Sequence, residues 1–227
     1  MIKFIIDNIL NYKLPNKIAL IICDPPYGTG KIQDSASENK IYGKVRILDD
    51  RDIKLPLDIL KYLLSYNKPL CFFSQINLMY KLGQEQIQYP DKIIYWKSSW
   101  ISGFKSNSCL PNQIEIIYCF NLNIKNIISQ NNKTIGNLIS DNKYVAPRHR
   151  AHLDRKLTIH QSQKPEYLGK LLAATFSNKK DLILDACCGS GALGKGANTA
   201  SGGRDIIFID NDPMSIRIAK INVKEAK

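Results

Sequence analysis

A short segment near the end of the chain constrains the fold more than any other. The apolar residues 182–184 are followed by Asp185 and then by the turn Gly189-Ser190-Gly191. This order indicates a buried strand that turns through glycines into a helix. A second apolar run ends at Asp210, about 20 residues beyond the first glycine, as in a strand–helix–strand unit that ends on an acidic residue.

The position of this unit in the chain determines how the other strands can be connected. The chain ends at Lys227, so little of it follows Asp210. An open sheet built outward from residues 181–210 cannot be completed by that tail, and its remaining strands must come from the amino-terminal half. The sequence therefore predicts an α/β sheet in which the order of the connections is circularly permuted.

Short apolar runs alternate with amphipathic stretches along the rest of the chain, a pattern typical of a mostly parallel, twisted sheet with helices on both faces. Strands are predicted at residues 3–6, 18–23, 70–73, 92–96, 115–120, 182–184 and 206–209. Helices are predicted at residues 58–65, 75–86, 165–176, 192–199 and 213–224. We expect one domain over residues 1–227. Two excursions, 28–51 and 121–142, lack a clear period, and the loops at 28–51 and 121–156 are the candidates for contact with a partner.

The composition is that of a chain that can bury one large core. Of its 227 residues, 44% are hydrophobic. No apolar run approaches the roughly 18 residues of a membrane span, and the start of the sequence lacks a signal-peptide pattern. We therefore expect a cytoplasmic protein without a membrane partner.

The six cysteines form no C-x-x-C pair. Most of them lie in or beside apolar runs, where cysteine behaves as a small hydrophobic residue, so we expect reduced thiols and no metal site. The adjacent pair Cys187-Cys188 leaves a redox switch open as the alternative, although a bridge between neighbouring residues would be strained.

The net charge of +12, from 32 basic and 20 acidic residues, favours a polyanionic partner. Ile, Lys and Asn are abundant throughout, so an AT-rich coding sequence also explains part of the lysine excess. The clustering of basic residues is more informative than their total number. One segment carries Lys143, Arg148, Arg150, Arg155 and Lys156. We expect these five side chains to contact phosphate groups, and a solvated basic loop is the alternative.

A second functional motif directly follows the apolar residues 18–23. Asp24-Pro25-Pro26-Tyr27 presents a carboxylate, a rigid diproline and an aromatic ring at the end of a predicted strand. The carboxylate and the Pro25 carbonyl could accept the two protons of an amino group, while the prolines remove N–H donors that would compete. The alternative is a turn that ends the strand, with the aspartate as a cap.

Together, the two motifs resemble those of the amino-group DNA methyltransferases. The tetrapeptide is similar to the catalytic motif of that family, and the glycine turn is similar to its site for S-adenosylmethionine. A third segment, His160-Gln161-Ser162-Gln163-Lys164-Pro165, resembles the family's His-Pro-Thr-Gln-Lys-Pro. The catalytic motif comes first and the cofactor motif last, as in the beta class of the family, which implies a Rossmann-like methyltransferase fold.

The resemblance is incomplete in two of these motifs. The family usually has Asp-Pro-Phe-x-Gly-Ser-Gly where this chain has Ala186 and Cys187 as the second and third residues, and Gln161 replaces a proline. The glycines also match G-x-G-x-x-G, so a dinucleotide is an alternative cofactor. That alternative does not account for the other two motifs.

The resemblance implies roles for specific residues. Catalysis is assigned to Asp24, Pro25, Pro26 and Tyr27, with the tyrosine ring stacked on a flipped-out base. Contacts with S-adenosylmethionine, which leaves as S-adenosylhomocysteine, are assigned to Asp7, Asn8, Asp24, Ser162, Gln163, Lys164, Asp185, Ala186, Cys187, Gly189, Ser190, Gly191 and Asp210. For Asp7, the alternative is the N-cap of a helix at residues 8–14.

The function implied by the resemblance is site-specific methyl transfer to the exocyclic N6 of an adenine in double-stranded DNA. Asp24 resembles the adenine-modifying members more than those that modify cytosine. Methyl transfer to N4 of cytosine stays open, as does a non-catalytic nucleic-acid-binding module with the same fold. We expect a bacterial or phage protein, a monomer or a homodimer, with a cognate restriction endonuclease as a candidate partner.

Overall fold

The computed structural model describes residues 1–26, 54–98, 114–122, 137–141 and 163–224. Eight strands lie in these ranges: β1 (Ile2–Ile6), β2 (Ile18–Cys23), β3 (Leu70–Ser74), β4 (Lys92–Ser98), β5 (Ile114–Phe120), β6 (Leu138–Asp141), β7 (Leu182–Ala186) and β8 (Asp205–Asp210). The same ranges hold five helices: α1 (Lys54–Leu64), α2 (Asn77–Gln84), α3 (Glu166–Phe176), α4 (Ala192–Asn198) and α5 (Pro213–Lys224).

All eight strands belong to one sheet, in the order β1-β8-β7-β2-β3-β5-β4-β6. β5 runs antiparallel to both of its neighbours, and the other pairs are parallel. The late strands β7 and β8 lie between the early strands β1 and β2. The predicted α/β fold, with a mostly parallel sheet and a permuted order of connections, is confirmed.

The central strands are covered on both faces, which explains their nearly continuous apolar sequences. Along β2, Ile21 and Cys23 pack in one hydrophobic layer, and Leu20 and Ile22 pack in the other. Helices α1 and α2 contribute to the first layer, and helices α3, α4 and α5 contribute to the second. The sheet therefore has helices on both faces, as predicted.

The sequence missed one strand. Leu138–Asp141 forms β6, which pairs in parallel with β4 at the edge of the sheet. These four residues lie in the asparagine-rich stretch that was expected to be an excursion, and four residues are too few to give a clear period. The seven predicted strands and the five predicted helices are present, with ends that differ by a few residues.

Residues 8–14 form turns rather than the helix that was the alternative for Asp7. The Asn8 carbonyl accepts a hydrogen bond from the Asn11 amide, and the Asn8 side chain accepts one from the Leu10 amide. The interpretation of Asp7 as a helix N-cap is therefore wrong. In the part of the chain that the structure describes, no helix is long and apolar enough to span a membrane.

Helices α3 and α4 cross so closely that each needs a glycine at the contact. A Cβ atom on Gly169 would lie 1.9 Å from the Leu193 carbonyl oxygen, and one on Gly196 would lie 1.8 Å from the Glu166 carbonyl oxygen. A salt bridge of 2.8 Å between Lys195 and Glu166 joins the same two helices. The start of α3 is thereby fixed against the helix that follows the glycine turn.

This crossing predicts that Gly196→Ala destabilises the protein, because backbone rather than a flexible side chain occupies the space of the new methyl group. We expect a loss of about 3 kcal/mol in the free energy of unfolding, in spite of the higher helix propensity of alanine. Urea unfolding followed by circular dichroism measures this loss in the free energy of unfolding.

The matched control is Gly83→Ala in α2, where the nearest atom to a new Cβ is the Tyr89 hydroxyl at 3.1 Å. That change should alter stability by less than about 1 kcal/mol. Equal effects of the two substitutions would contradict the close crossing of α3 and α4.

Candidate active site

The carboxyl ends of β1, β8, β7 and β2 meet at one edge of the sheet. Along this edge, Ile6 is in register with Asp210, Ile209 with Ala186, and Ala186 with Cys23. Because parallel strands end at the same side of a sheet, the polar residues that follow them come together there. This edge is where ligands bind in open α/β sheets.

The turn after β7 is built from left-handed backbone. Cys187, Gly189 and Gly191 have φ angles of 56°, 50° and 72°. Two features exclude a side chain at Gly191. Its φ angle is positive, and a Cβ atom there would lie 2.9 Å from the Cβ atom of Ala219. The turn leads directly into α4.

Asp210, at the end of β8, holds this turn in place. Its Oδ2 atom accepts a hydrogen bond of 2.9 Å from the Gly189 amide, and its Oδ1 atom accepts one of 2.9 Å from the Asp212 amide. The Cys188 amide also donates to the Ile209 carbonyl at 2.9 Å. Asp210 therefore fixes the loop as well as presenting a carboxylate at this edge.

Asp7 lies beside Asp210 because β1 pairs with β8. The Asp7 amide donates to the Asp210 carbonyl at 3.1 Å, and the Asp7 carboxylate accepts a hydrogen bond of 2.8 Å from the Asn8 amide. Two of the four predicted acidic contacts of the cofactor are thus neighbours, although they come from opposite ends of the chain.

Asp185, near the end of β7, is buried, with 1% of its surface exposed. Its Oδ2 atom accepts a hydrogen bond of 2.8 Å from the Gly194 amide. Burial raises the pKa of Asp185 well above its ordinary value, the Gly194 hydrogen bond opposes the rise, and the carboxylates of Asp24 and Asp210 add to it. Burial therefore disfavours the ionised form of Asp185.

Asp24 extends from the end of β2 into an ion-pair cluster. The Lys164 ammonium contacts the Asp24 Oδ2 atom at 2.9 Å and the Glu115 Oε2 atom at 3.0 Å. The Lys164 nitrogen also lies 5.7 Å from the centre of the Phe73 ring. These contacts join the ends of β2 and β3, the start of β5 and the residues before α3.

Lys164 keeps its charge in this position. Burial alone lowers the pKa of Lys164, but the charges of Asp24 and Glu115 and their hydrogen bonds outweigh burial and raise the pKa above its ordinary value. The stability that comes from the raised pKa is fully present at neutral pH and is lost only in strongly alkaline solution. Lys164 is a permanent cation in the folded protein.

Two thiols pack between the motifs. Burial raises the pKa of Cys23 well above its ordinary value, and a hydrogen bond with the Cys187 side chain adds to the rise. Cys23, Cys71, Cys119, Cys187 and Cys188 are free thiols, so the adjacent pair at 187 and 188 is not bridged. Across the described ranges, no group of three or more His, Cys, Asp or Glu side chains could hold a metal ion.

The structure brings together most of the predicted site residues that it describes. Asp7, Asn8, Asp24, Gln163, Lys164 and the turn residues from Asp185 to Gly191 lie at or next to this edge, with Asp210. Tyr27, Ser162 and the five basic residues Lys143, Arg148, Arg150, Arg155 and Lys156 lie outside the described residues. Sequence analysis missed Glu115 as a site residue, although a carboxylate in an apolar strand was a signal.

The family model described as DNA methylase matches residues 18–220. The chain belongs to the DNA methylase family. This membership confirms the resemblance to the amino-group DNA methyltransferases. A relative, the type II methyltransferase M.HpaI of Haemophilus parainfluenzae, is 25% identical over 191 residues, which are 78% of this chain. The chain spans 60% of the length of that relative.

Several solved structures share the fold. The PvuII cytosine-N4-specific enzyme has a TM-score of 0.66 at 12% identity, over 96% of this chain and 85% of its own. M1.HpyAVI in complex with SAM has a TM-score of 0.59 at 18% identity, over 98% and 100% of the two chains. TTHA0409 of Thermus thermophilus, complexed with S-adenosyl-L-methionine, has a TM-score of 0.61 at 12% identity, over 99% and 94%. The predicted Rossmann-like methyltransferase fold is confirmed.

The raised pKa of Asp185 makes a prediction for stability against pH. A carboxylate whose pKa is raised on folding costs stability as pH rises above about 3.9, the pKa of an unfolded aspartate. Asp185→Asn removes this cost. In the absence of cofactor, the stability of Asp185→Asn relative to the unsubstituted protein should increase with pH. The increase is up to about 1.4 kcal/mol for each pH unit between the unfolded and the folded pKa of Asp185.

Urea unfolding at intervals from pH 5 to pH 8 measures this difference. Asp58→Asn is the control, because Asp58 is a half-exposed carboxylate in α1, paired with Lys54. A difference between Asp185→Asn and the unsubstituted protein that stays constant with pH would contradict the raised pKa of Asp185.

Proposed function

We propose that this protein is a site-specific DNA methyltransferase that transfers the methyl group of S-adenosylmethionine to the exocyclic N6 of adenine. The observation that carries the proposal is the pairing of β2 with β7, with Cys23 in register with Ala186. This register sets the Asp24 motif beside the glycine turn, so a base held by one and a cofactor held by the other would lie in contact.

The residues around the turn fit S-adenosylmethionine. Asp210 and Asp7 lie beside each other at the end of the sheet and would supply carboxylates for a ribose and an adenine. The left-handed backbone of the turn carries the chain from β7 directly into α4. Two similar structures, M1.HpyAVI and TTHA0409, were solved with this cofactor, which supports the assignment.

Bound S-adenosylmethionine supplies an electrophilic methyl group on a positively charged sulfur. The residues of this chain would orient the nucleophile, because the lone pair of an adenine amino group is delocalised into the ring. The Asp24 carboxylate and the Pro25 carbonyl would accept the two amino protons and favour a pyramidal nitrogen. Tyr27 would stack on the base, which must leave the duplex to reach this edge of the sheet.

Methyl transfer to N4 of cytosine is the second candidate function. The PvuII enzyme, which has the same fold, is cytosine-N4-specific. The two reactions use the same geometry, since each base presents an exocyclic amino group. Aspartate at position 24 favours adenine, because it resembles the adenine-modifying members.

We propose that the DNA is bound through the segments at 28–51 and 121–156, including Lys143, Arg148, Arg150, Arg155 and Lys156. The net charge of +12 supports a polyanionic substrate. A type II methyltransferase relative supports a cognate restriction endonuclease as a candidate partner. The protein would act in the cytoplasm as a monomer or a homodimer.

The proposal predicts which nucleoside receives the methyl group. The protein is incubated with methyl-labelled S-adenosylmethionine and duplex DNA of mixed sequence, and the DNA is then digested to nucleosides. Label in N6-methyladenine is the expected result. Label in N4-methylcytosine would move the assignment to the second candidate, and label in neither, with RNA tested in parallel, would contradict methyl transfer to nucleic acid by this chain alone.

Asp24→Ala should abolish methyl transfer and keep cofactor binding, because it removes an acceptor for the amino proton and leaves the glycine turn intact. We expect kcat to fall by at least about 100-fold, with a Kd for S-adenosylmethionine within about threefold of the original by calorimetry. The matched control is Asp58→Ala, which removes a carboxylate from α1. Substantial methyl transfer by Asp24→Ala would remove Asp24 from the mechanism.

The double substitution Arg148→Ala with Arg150→Ala should weaken DNA binding and flatten its dependence on salt. Loss of two phosphate contacts lowers the slope of log Kd against log salt concentration by about 2. The control replaces Lys17 and Lys179 by alanine, because these lysines precede β2 and β7 and lie at the opposite edge of the sheet. Equal slopes for the two variants would contradict the assignment of the basic segment to phosphate binding.

A further inference from the structure

We propose that Lys164 is a positioning residue for methyl transfer, acting through Asp24, and that Glu115 sets the charge of the cluster that the two residues share. This inference rests on the proposed function. It assigns to Lys164 a contact with the catalytic carboxylate in place of the cofactor contact implied by the sequence. It also gives a role to Glu115, which belongs to none of the three motifs.

The cluster is built from three separate parts of the sheet. Asp24 follows β2, Lys164 precedes α3, and Glu115 is the second residue of β5. β5 is antiparallel to β3, so it begins at the edge where the parallel strands end, with Ile116 in register with Ser74. The exposed fractions of the three side chains are 16% for Asp24, 8% for Lys164 and 34% for Glu115.

The backbone at Lys164 is held in place, so the Lys164 ammonium can in turn hold the carboxylate that it contacts. Pro165 follows Lys164 directly and restricts its backbone, and α3 begins at Glu166. The crossing at Gly169 and Gly196 then locks α3 against α4, the helix of the glycine turn. Lys164 is therefore held by the same framework that would hold the cofactor.

Orientation is the first effect of the contact. The terminal torsion of an aspartate is broad, so a carboxylate at the end of a strand can rotate unless something holds it. Lys164 contacts the Oδ2 atom of Asp24 at 2.9 Å and thereby restricts the rotation of the carboxylate. A carboxylate with restricted rotation can meet an amino group within a narrow range of angles, which is what orientation of a weak nucleophile requires.

Charge is the second effect, and it explains why two acids surround one lysine. In methyl transfer the bond between sulfur and the methyl carbon breaks as the bond to nitrogen forms. S-adenosylhomocysteine leaves uncharged at sulfur, and the positive charge passes to the nitrogen until a proton leaves to water. The formal charges of Asp24 and Lys164 cancel, and such a pair gives little stabilisation to that charge. With Glu115 at 3.0 Å from the same ammonium, the formal charges of the three groups sum to −1.

The pH dependence of kcat separates this role from a purely structural one. Asp185 also faces this cluster, because the charge of Asp24 acts on it. Without the ammonium that Asp24 and Glu115 share, negative charge on both carboxylates at once costs more free energy. Lys164→Met should therefore move the acidic limb of the kcat profile to higher pH. Glu115→Gln removes a negative charge from the cluster, so its acidic limb should move to lower pH. A structural role predicts loss of stability but no such opposite shifts.

The test compares Lys164→Met, Lys164→Arg and Glu115→Gln in the DNA-labelling assay, with calorimetry for S-adenosylmethionine. Lys164→Met should lower kcat by about 100-fold, leave KM for DNA within about threefold, and bind the cofactor. Lys164→Arg should recover part of kcat and return the acidic limb towards its original position. Lys61→Met, which breaks the 3.0 Å contact between Lys61 and Glu85, is the control and should be fully active.

Two results would overturn the proposal: kcat unchanged in Lys164→Met, or acidic limbs of Lys164→Met and Glu115→Gln that coincide with the original. Should Lys164→Met fail to fold, Glu115→Gln decides, because an acidic limb that coincides with the original would overturn the proposal. If the unsubstituted protein labels no DNA, the proposed function fails, and Lys164 and Glu115 then have no role in that reaction. The contact itself is then judged by the ¹⁵N resonance of the Lys164 ammonium, which should shift in both Asp24→Ala and Glu115→Gln.

Discussion

β2 and β7 pair in parallel although most of the chain separates them. The pairing is possible because both strands are apolar on both faces and are covered by a helical layer on each side. Parallel strands in register end together, so Asp24 and the turn after β7 lie side by side. An antiparallel pairing of the same two strands would place these motifs at opposite edges of the sheet, and neither would then face the other.

The chain as a whole is basic, but acidic side chains gather at its candidate site. The net charge is +12, while the carboxylates of Asp7, Asp185 and Asp210 gather at the edge of the sheet that holds the Asp24 cluster. In the proposed reaction, acidic side chains at this end of the sheet would suit a cationic methyl donor and a nitrogen that becomes cationic. The excess of basic residues over the whole chain would suit the phosphates of DNA.

The sequence predicted the strands and the turn that show a continuous pattern of residues. It missed a short edge strand and a contact that depends on how the strands pair. β2 and β7 were clear from their apolar runs, and the glycine turn was clear from its spacing to Asp210. β6 was missed because four residues at an edge carry little pattern. The contact of Glu115 with Lys164 was missed for another reason: it requires that β5 be antiparallel and that its second residue reach the edge, and neither follows from the sequence of β5.

The departures at Ala186 and Cys187 test how much of the turn depends on its side chains. The family pattern has a proline and an aromatic ring at these positions, yet the backbone of the turn is held by other groups: Gly189 by Asp210, Cys188 by the Ile209 carbonyl, and Gly191 by the Cys188 carbonyl at 2.7 Å. Cys187 adopts the left-handed conformation, with a φ of 56°, and its thiol is hydrogen-bonded with Cys23. The loss of the ring therefore changes the wall of the site and leaves its frame intact, which weakens the argument for a module that has lost its cofactor.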